Sequence, residues 1–294
     1  VTQRRENSAG FLWISPWILG LTAFTLLPMA MSLSYAFTDY PLLEAPIYVG
    51  WENFSRLATD PKYLHAAGRT LAYGCVVVPA STAVALVLAA MVNASPRWGR
   101  LLQAAFFLPT LVPSIAAAMI WIWLYNGKQG LINQSLSLVG MQGPNWLADA
   151  SWVFPAIVLV SLWTVGHSMV VYQAAMRQVP ESLYEAAALD GMGPVRRFFH
   201  VTLPMISPSI LFNVVTLIIG TLQVFAIPAL FSGANEGTDP QAFNFYTNEL
   251  FNQAFLNGQM GYACAMAWVQ LVFVLALTGL TFAASSRLVH YRGS

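Results

Sequence analysis

Residues capable of bond-making chemistry are few in this chain, and their spacing assembles no catalytic centre. The four histidines, His65, His167, His200 and His290, are scattered, and no H-E-x-x-H or C-x-x-C spacing places two metal ligands together. Cys75 and Cys264 lie inside apolar runs, where a free thiol behaves as a small buried hydrophobe. His167 beside Ser168 is the most enzyme-like pair, yet neighbours in sequence point to different faces of a helix. There is no G-x-S-x-G nucleophile turn and no G-x-x-x-x-G-K-[ST] phosphate loop; Gly127-Lys128-Gln129-Gly130 is only a superficial lookalike. The expectation is a chain without catalytic residues and without a metal. The one long polar stretch, V-P-E-S-L-Y-E-A-A-A-L-D-G-M-G-P-V-R-R-F-F-H-V-T-L-P-M-I-S-P over 179–208, offers charged contacts rather than a reaction.

Hydrophobicity decides which elements position these residues. Of 294 residues, 57% are hydrophobic and 9% charged, where soluble domains carry roughly 25% charged residues. With a mean hydropathy of +0.60, the chain reads as an all-α polytopic membrane protein. A net charge of +1 provides no electrostatic footprint for nucleic acid. Charge-free windows at 7–38, 70–96, 101–127, 150–176, 198–235 and 250–286 each hold one helix, since a span needs about 20 mostly apolar residues. The expected spans are 11–37, 70–94, 103–126, 152–176, 207–232 and 262–286, in one transmembrane domain over 1–294. The charge-free stretch 129–148 reads as loop, because Gly130, Asn133, Gln134, Gly140, Gln142, Gly143, Pro144 and Asn145 break it.

Six spans put both termini on one side. Arg4, Arg5, Arg97, Arg100, Arg177, Arg196, Arg197, Arg287 and Arg292 share that side, whereas Arg56, Lys62, Arg69 and Lys128 lie opposite. The positive-inside rule makes both termini and the 177–206 loop cytoplasmic. The first apolar run shows no cleavage pattern and is long enough to span and stay. The chain opens on Val1, and Ser294 follows the last span too closely for a regulatory tail.

Within the cytoplasmic loop, Val179-Pro180-Glu181 reads as a helix start and 181–190 as a short helix of good formers. Asp190-Gly191 is a stop, with Gly191 suited to a left-handed backbone. A second short helix after Gly193-Pro194 carries Arg196 and Arg197, and Leu203-Pro204 turns the chain back toward the membrane. Three alanines permit close approach to a partner's cleft, and Glu185 and Asp190 offer carboxylates to a basic rim. The same residues also suit an amphipathic connector lying on lipid.

The loop resembles the coupling element of binding-protein-dependent ABC importers. The shared pattern is Glu185-Ala186-Ala187, Asp190-Gly191-Met192, Phe198 and Leu203-Pro204, followed by Pro208; Met192 departs from the family's usual small residue. Further pieces are similar to the carbohydrate-uptake permeases of the maltose and glycerol-phosphate type. They include Pro16 and Pro28 in the first helix, Gly50-Trp51-Glu52-Asn53-Phe54, Phe107-Leu108-Pro109 and Gly130-Leu131-Ile132-Asn133. The chain lacks the large outer domain that the maltose-type protein inserts between its third and fourth helices. The resemblance implies a type I ABC importer permease fold in a bacterial cytoplasmic (inner) membrane. It also implies a second homologous permease, two ATPase subunits that hold the ATP and Mg, and an extracytoplasmic solute-binding protein that delivers a sugar. Glu185, Ala186, Ala187, Asp190, Gly191 and Pro204 are then the ATPase-coupling residues.

Polar residues within spans suggest a solute pathway, because lipid does not solvate them. Asn213, Thr216, Gly220 and Gln223 fall on one face of the fifth helix near mid-membrane. Trp163 and His167 share a face in the fourth, and Gln270 lies mid-membrane in the sixth. Amides bond sugar hydroxyls and an aromatic face packs on a sugar ring; small and amide residues equally serve helix packing. The absence of charge along this lining argues against an ion-coupled secondary transporter. An ABC importer for a non-sugar solute, such as a polyamine or phosphate compound, remains the alternative.

Overall fold

Residues 13–95, 97–234 and 239–288 are described by the computed structural model, with side chains as far as 285. Arg4, Arg5, His290 and Arg292 lie outside the described residues. Among the described residues, four helices are long and apolar enough to cross a membrane: Trp13–Tyr35 (α1), Pro61–Ala94 (α3), Ser207–Gly233 and Met260–Ser285. Two bent pairs raise the number to six if each pair is one span. The chain divides into two compact units, 1–64 with 250–272, and 65–249 with 273–294.

The first unit is organised around the end of α1. A π-turn at Thr22–Leu26, closed by the Leu27 N–H donating to the Thr22 carbonyl, precedes Pro28. Proline has no N–H and its ring crowds the preceding turn, so the wider turn lets the helix run on. After Tyr35 the chain forms a two-residue antiparallel ribbon, β1 (Thr38–Asp39) with β2 (Ile47–Tyr48), and then α2 (Glu52–Leu57). The buried Asn53 donates to the Ala36 and Thr38 carbonyls at 3.0 and 2.9 Å, which ties α2 to the ribbon. Asp60 accepts from the Lys62 N–H at 2.9 Å and the Tyr262 hydroxyl at 2.8 Å. Burial alone would raise its carboxyl, but these hydrogen bonds and Arg56 hold it below its ordinary value.

The second unit holds the bent pairs. Helix α4 (Gly99–Leu111) meets α5 (Ser114–Leu124) at 100°. Pro113 is the cause: it drives Val112 to an extended backbone, φ −75°, ψ 124°. The third apolar window is therefore two helices, not one. The stretch expected to be loop contains a helix, α6 (Leu131–Leu138), because Ile132 and Leu136, four apart, pack against the core cluster around Tyr125 and Trp146. Asn133 braces that segment rather than breaking it: its amide donates to the Gly127 and Pro144 carbonyls, each at 3.1 Å, and its Oδ1 accepts from Trp146 at 2.8 Å. Helices α7 (Ala150–Trp163) and α8 (Gly166–Arg177) bend by 43° at Thr164-Val165. Two apolar clusters fill the unit, one around Tyr125, Trp146, Ile157, Phe231 and Phe245, the other around Val92, Met169, Tyr172 and Ile206. Cys264 is buried as expected, whereas Cys75 is exposed on this chain, facing away from its own core.

At the α7–α8 bend, a Cβ on Gly166 would lie 2.5 Å from both the Phe106 carbonyl and the Thr110 hydroxyl. Gly166→Val is expected to destabilise the protein by about 1–3 kcal/mol through overpacking. Gly220→Ala meets nothing within 4 Å and should leave stability unchanged or higher. Thermal unfolding in detergent checks the pair; equal midpoints for the two variants would contradict the close approach at Gly166.

Candidate coupling segment and solute pathway

Between α8 and the next long helix lies α9 (Glu181–Leu189), with Glu181 in its first turn where an acid suits the helix dipole. Asp190 caps it, and Gly191 takes a left-handed backbone, φ +73°. The Met192 N–H donates to the Ala187 carbonyl at 2.9 Å and the Gly191 N–H to the Ala188 carbonyl at 3.0 Å. These are the two bonds of a Schellman stop, which reverses the chain while satisfying carbonyls the helix would leave open. Met192 fits here because its backbone closes the turn, and its carbonyl accepts from Arg197 Nε at 2.7 Å.

A second helical run follows: α10 (Pro194–Arg197), a π-turn at Phe198–Thr202, and a last turn at Leu203–Met205. The chain does not turn at Leu203-Pro204. The Leu203 N–H reaches back to the Phe198 carbonyl, and this wide turn accommodates Pro204 within the helical run. The break falls at Ile206, φ −95°, ψ 5°, before α11 (Ser207–Leu222). Tyr184 and Thr202 share a hydroxyl hydrogen bond of 2.8 Å that fastens α9 to this run.

The segment has two sides. Ala187 is only 4% exposed and Tyr184 half-buried, so they face inward. Glu185, Ala186, Asp190 and Gly191 face out, beside Leu189 at 90% and Val195 at 70% exposure. Leu189 and Val195 were not singled out from sequence; solvent-facing apolar side chains flanked by carboxylates mark a contact surface.

Of the solute-pathway candidates, Asn213, Thr216, Gly220 and Gln223 stay on one stretch of α11 and its cap. Asn213 is buried, and its amide donates to the Ser209 carbonyl at 3.1 Å. Thr216 likewise bonds back to Phe212, at 2.9 Å, but is exposed, as are Gly220 and Gln223. Gln223 is where the helix stops. Phe225 adopts φ −139°, ψ −59°, and the chain resumes as α12 (Ala226–Gly233). The Asn248 amide donates to the Phe225 carbonyl at 3.3 Å. The sequence signal for this break is Pro228, which cannot donate to the turn before it. Trp163 ends α7 with its ring edge-on to Trp121 at 5.8 Å. His167 is exposed beyond the 43° bend, so the four-residue spacing does not stack it on Trp163. Gln270 is half-buried and belongs to the other compact unit.

Two further polar groups were not singled out from sequence: Arg69 counted only among the outer basic residues and as the edge of a charge-free window, and Glu249 only as such an edge. Arg69 lies 5.7 Å from the ring centres of both Phe154 and Phe245, with its Nε and one Nη buried and unbonded. Glu249 is buried and accepts from the Asn244 amide.

Residues 81–291 match the family described as binding-protein-dependent transport system inner membrane component. The chain is 38% identical over 291 residues to the probable ABC transporter permease protein YesP of Bacillus subtilis (strain 168), across 98% of this chain and 94% of that protein. It is 31% identical to the sn-glycerol-3-phosphate transport system permease protein UgpA of Pectobacterium atrosepticum, across 98% of this chain and 97% of that one. A crystal structure of a bacterial ABC transporter involved in import of the acidic polysaccharide alginate superposes with a TM-score of 0.88 at 21% identity, covering 98% of this chain and 99% of the other. The chain belongs to the binding-protein-dependent transport system inner membrane component family, and it is a membrane permease subunit with the type I ABC importer permease fold.

The Tyr184–Thr202 bond makes a separate prediction. Tyr184→Phe removes one partly buried hydroxyl pairing, worth about 1 kcal/mol, and should speed amide hydrogen exchange across residues 181–192 while α7 and α11 exchange as before. Unaltered exchange in 181–192 would show that the pairing does not hold α9.

Proposed function

We propose that this chain forms half of the translocation pathway of an ATP-driven importer for a sugar or oligosaccharide. The observation that carries the reading is the outward side of the coupling segment. A rigidly stopped helix presents Glu185, Ala186, Asp190 and Leu189 away from its own protein, as a lever docked in a moving partner requires. In this reading two ATPase subunits hold ATP and Mg and receive α9, Ala187 packs it from behind, and Pro204 belongs to the run that transmits its displacement. This chain itself hydrolyses nothing. A second, homologous permease completes the pathway, and an extracytoplasmic binding protein delivers the solute. The coupling loop and both termini lie on the cytoplasmic side of the inner membrane, and the six spans of the single domain, 11–37 through 262–286, are embedded in its lipid. ATP drives alternating access only because it binds the two states of the assembly unequally.

A sugar is supported by the alginate importer, named for an acidic polysaccharide, while UgpA, named for sn-glycerol-3-phosphate, favours a small polyhydroxylated solute or its phosphate. The exposure of the Gln223 amide at a helix break, of the kind that lines transporter sites, supports a role for it in bonding solute hydroxyls. In this reading Thr216, Gly220, Trp163 and His167 belong to the pathway with Gln223, Asn213 supports them from within the helix packing, and Gln270 is the candidate contributed by the other compact unit.

The coupling role is tested by tagged purification in mild detergent with the partners weighed by mass spectrometry. Gly191→Val forces a β-branched residue into a left-handed backbone, a strain of about 1–2 kcal/mol or more. It should lose the ATPase and ATP-driven uptake. Gly191→Asn tolerates that backbone and should keep both. Retention of ATPase and uptake by the valine variant would refute the coupling reading. For the pathway, Gln223→Ala is expected to lower sugar uptake about tenfold, the loss of one hydrogen bond of about 1.4 kcal/mol, with the ATPase still bound. Wild-type uptake by this variant would remove Gln223 from the route.

A further inference from the structure

Behind the outward face of α9 is a cavity of about 680 Å³, bounded by the ends of α3 and α8 on one side and by residues 184–202 on the other. Its polar lining is Asn93, Arg177, Tyr184, Arg197 and Thr202, and Phe198 contributes to an apolar remainder. Each arginine is anchored through its Nε. Arg177 donates to Asn93 Oδ1 at 3.1 Å, and Arg197 to the Met192 carbonyl at 2.7 Å. Among the described residues no carboxylate pairs with either guanidinium, and their terminal nitrogens have no bonded partner. The Tyr184 and Thr202 hydroxyls already bond each other.

Two guanidinium groups fixed at the stem and open at the tip suit a tetrahedral oxyanion, because the planar fork pairs two phosphate oxygens at little cost in side-chain freedom. We infer that this cavity binds a phosphate group at the inner surface of the membrane, supplied by the headgroup of an anionic phospholipid. The source follows from position: Asn93 and Arg177 are at the ends of membrane helices, where basic pockets between helices on the cytoplasmic side meet anionic headgroups. This placement rests on the cytoplasmic orientation proposed above. The cavity is separate from the ATPase-facing side, since Tyr184 lies on the inward side of α9 and Glu185 and Leu189 on the outward. A headgroup here would touch α3, α8 and the coupling run together, bracing the lever from behind.

The test uses the purified complex, stripped of lipid in detergent and titrated without ATP. Phosphatidylglycerol, phosphatidylcholine and inorganic phosphate are added separately, and bound species are counted by native mass spectrometry. The wild type should bind phosphatidylglycerol at least about tenfold more tightly than phosphatidylcholine, and R177Q/R197Q should lose that preference. Binding of inorganic phosphate with comparable strength, lost in the same variant, would keep the phosphate site but assign it to a soluble compound. Equal binding of the two lipids by the wild type without phosphate binding, or an undiminished preference in the variant, would overturn the inference. If the double variant does not assemble, R177Q alone carries the comparison, since it leaves the Arg197–Met192 contact in place. The ATPase is scored in the same spectra. A complex that keeps its ATPase but ignores the headgroup sinks this site alone; a headgroup-selective chain without ATPase sinks the coupling reading alone.

Discussion

Inside a hydrocarbon layer no water completes a missing backbone hydrogen bond, so each interruption of a spanning helix needs protein to satisfy it. This chain places prolines within or beside nearly every apolar run, and much of its architecture is the response. Before Pro28 and again before Pro204, a π-turn widens the helix by one residue and the helix carries on. At Val112-Pro113 no such turn forms, Val112 goes extended and the chain changes direction by 100°. Between Leu222 and Ala226 the helix opens, and the Phe225 carbonyl accepts both the Ala229 N–H that starts α12 and the Asn248 amide. The same residue type therefore gives continuation, a sharp bend or an opening, according to the backbone turn that forms before it.

The coupling segment shows how a polar loop acquires stiffness without a core of its own. Four local bonds hold it: the two backbone bonds of the Schellman stop, the Arg197 bond to Met192 and the Tyr184–Thr202 pair. Each joins residues no more than 18 positions apart, so the element closes on itself with little loop entropy to overcome. In the proposed coupling role the segment would have to pass displacement on rather than absorb it, and a helix pinned at both its stop and its flank suits that better than a hinged one.

Legibility in the sequence followed the range of the interactions. The α9 helix, its stop at Asp190-Gly191 and the short helix at Pro194 were readable because caps and turns are decided by a few adjacent residues. Apolar windows located the long helices because desolvation acts on whole segments. The breaks were not readable. Pro28, Pro113, Pro204 and Pro228 look alike in a hydropathy pattern, and what separates them is the turn that forms before each, a π-turn at Pro28 and Pro204 and an extended residue at Pro113. Asn133 was misread as well: an amide that breaks a helix in isolation becomes a brace once Gly127, Pro144 and Trp146 surround it. Arg69 and Glu249 served only in the charge count and as window boundaries, although burial between aromatic rings or beside Asn244 is where a charge costs most.

Helical periodicity also overstates how alike residues on one face are. Asn213, Thr216, Gly220 and Gln223 share an angular sector of α11, but Asn213 is enclosed and bonded to its own helix, and Thr216 spends its hydroxyl in the same way. A side chain already bonded to an i−4 carbonyl has less to offer a solute. Gln223 differs because the helix ends under it, leaving no turn beyond to enclose its amide. Which of the four keeps an unengaged polar group is thus set by the backbone break at Val224-Phe225, and in the proposed pathway Pro228, the proline beside that break, acts without touching solute.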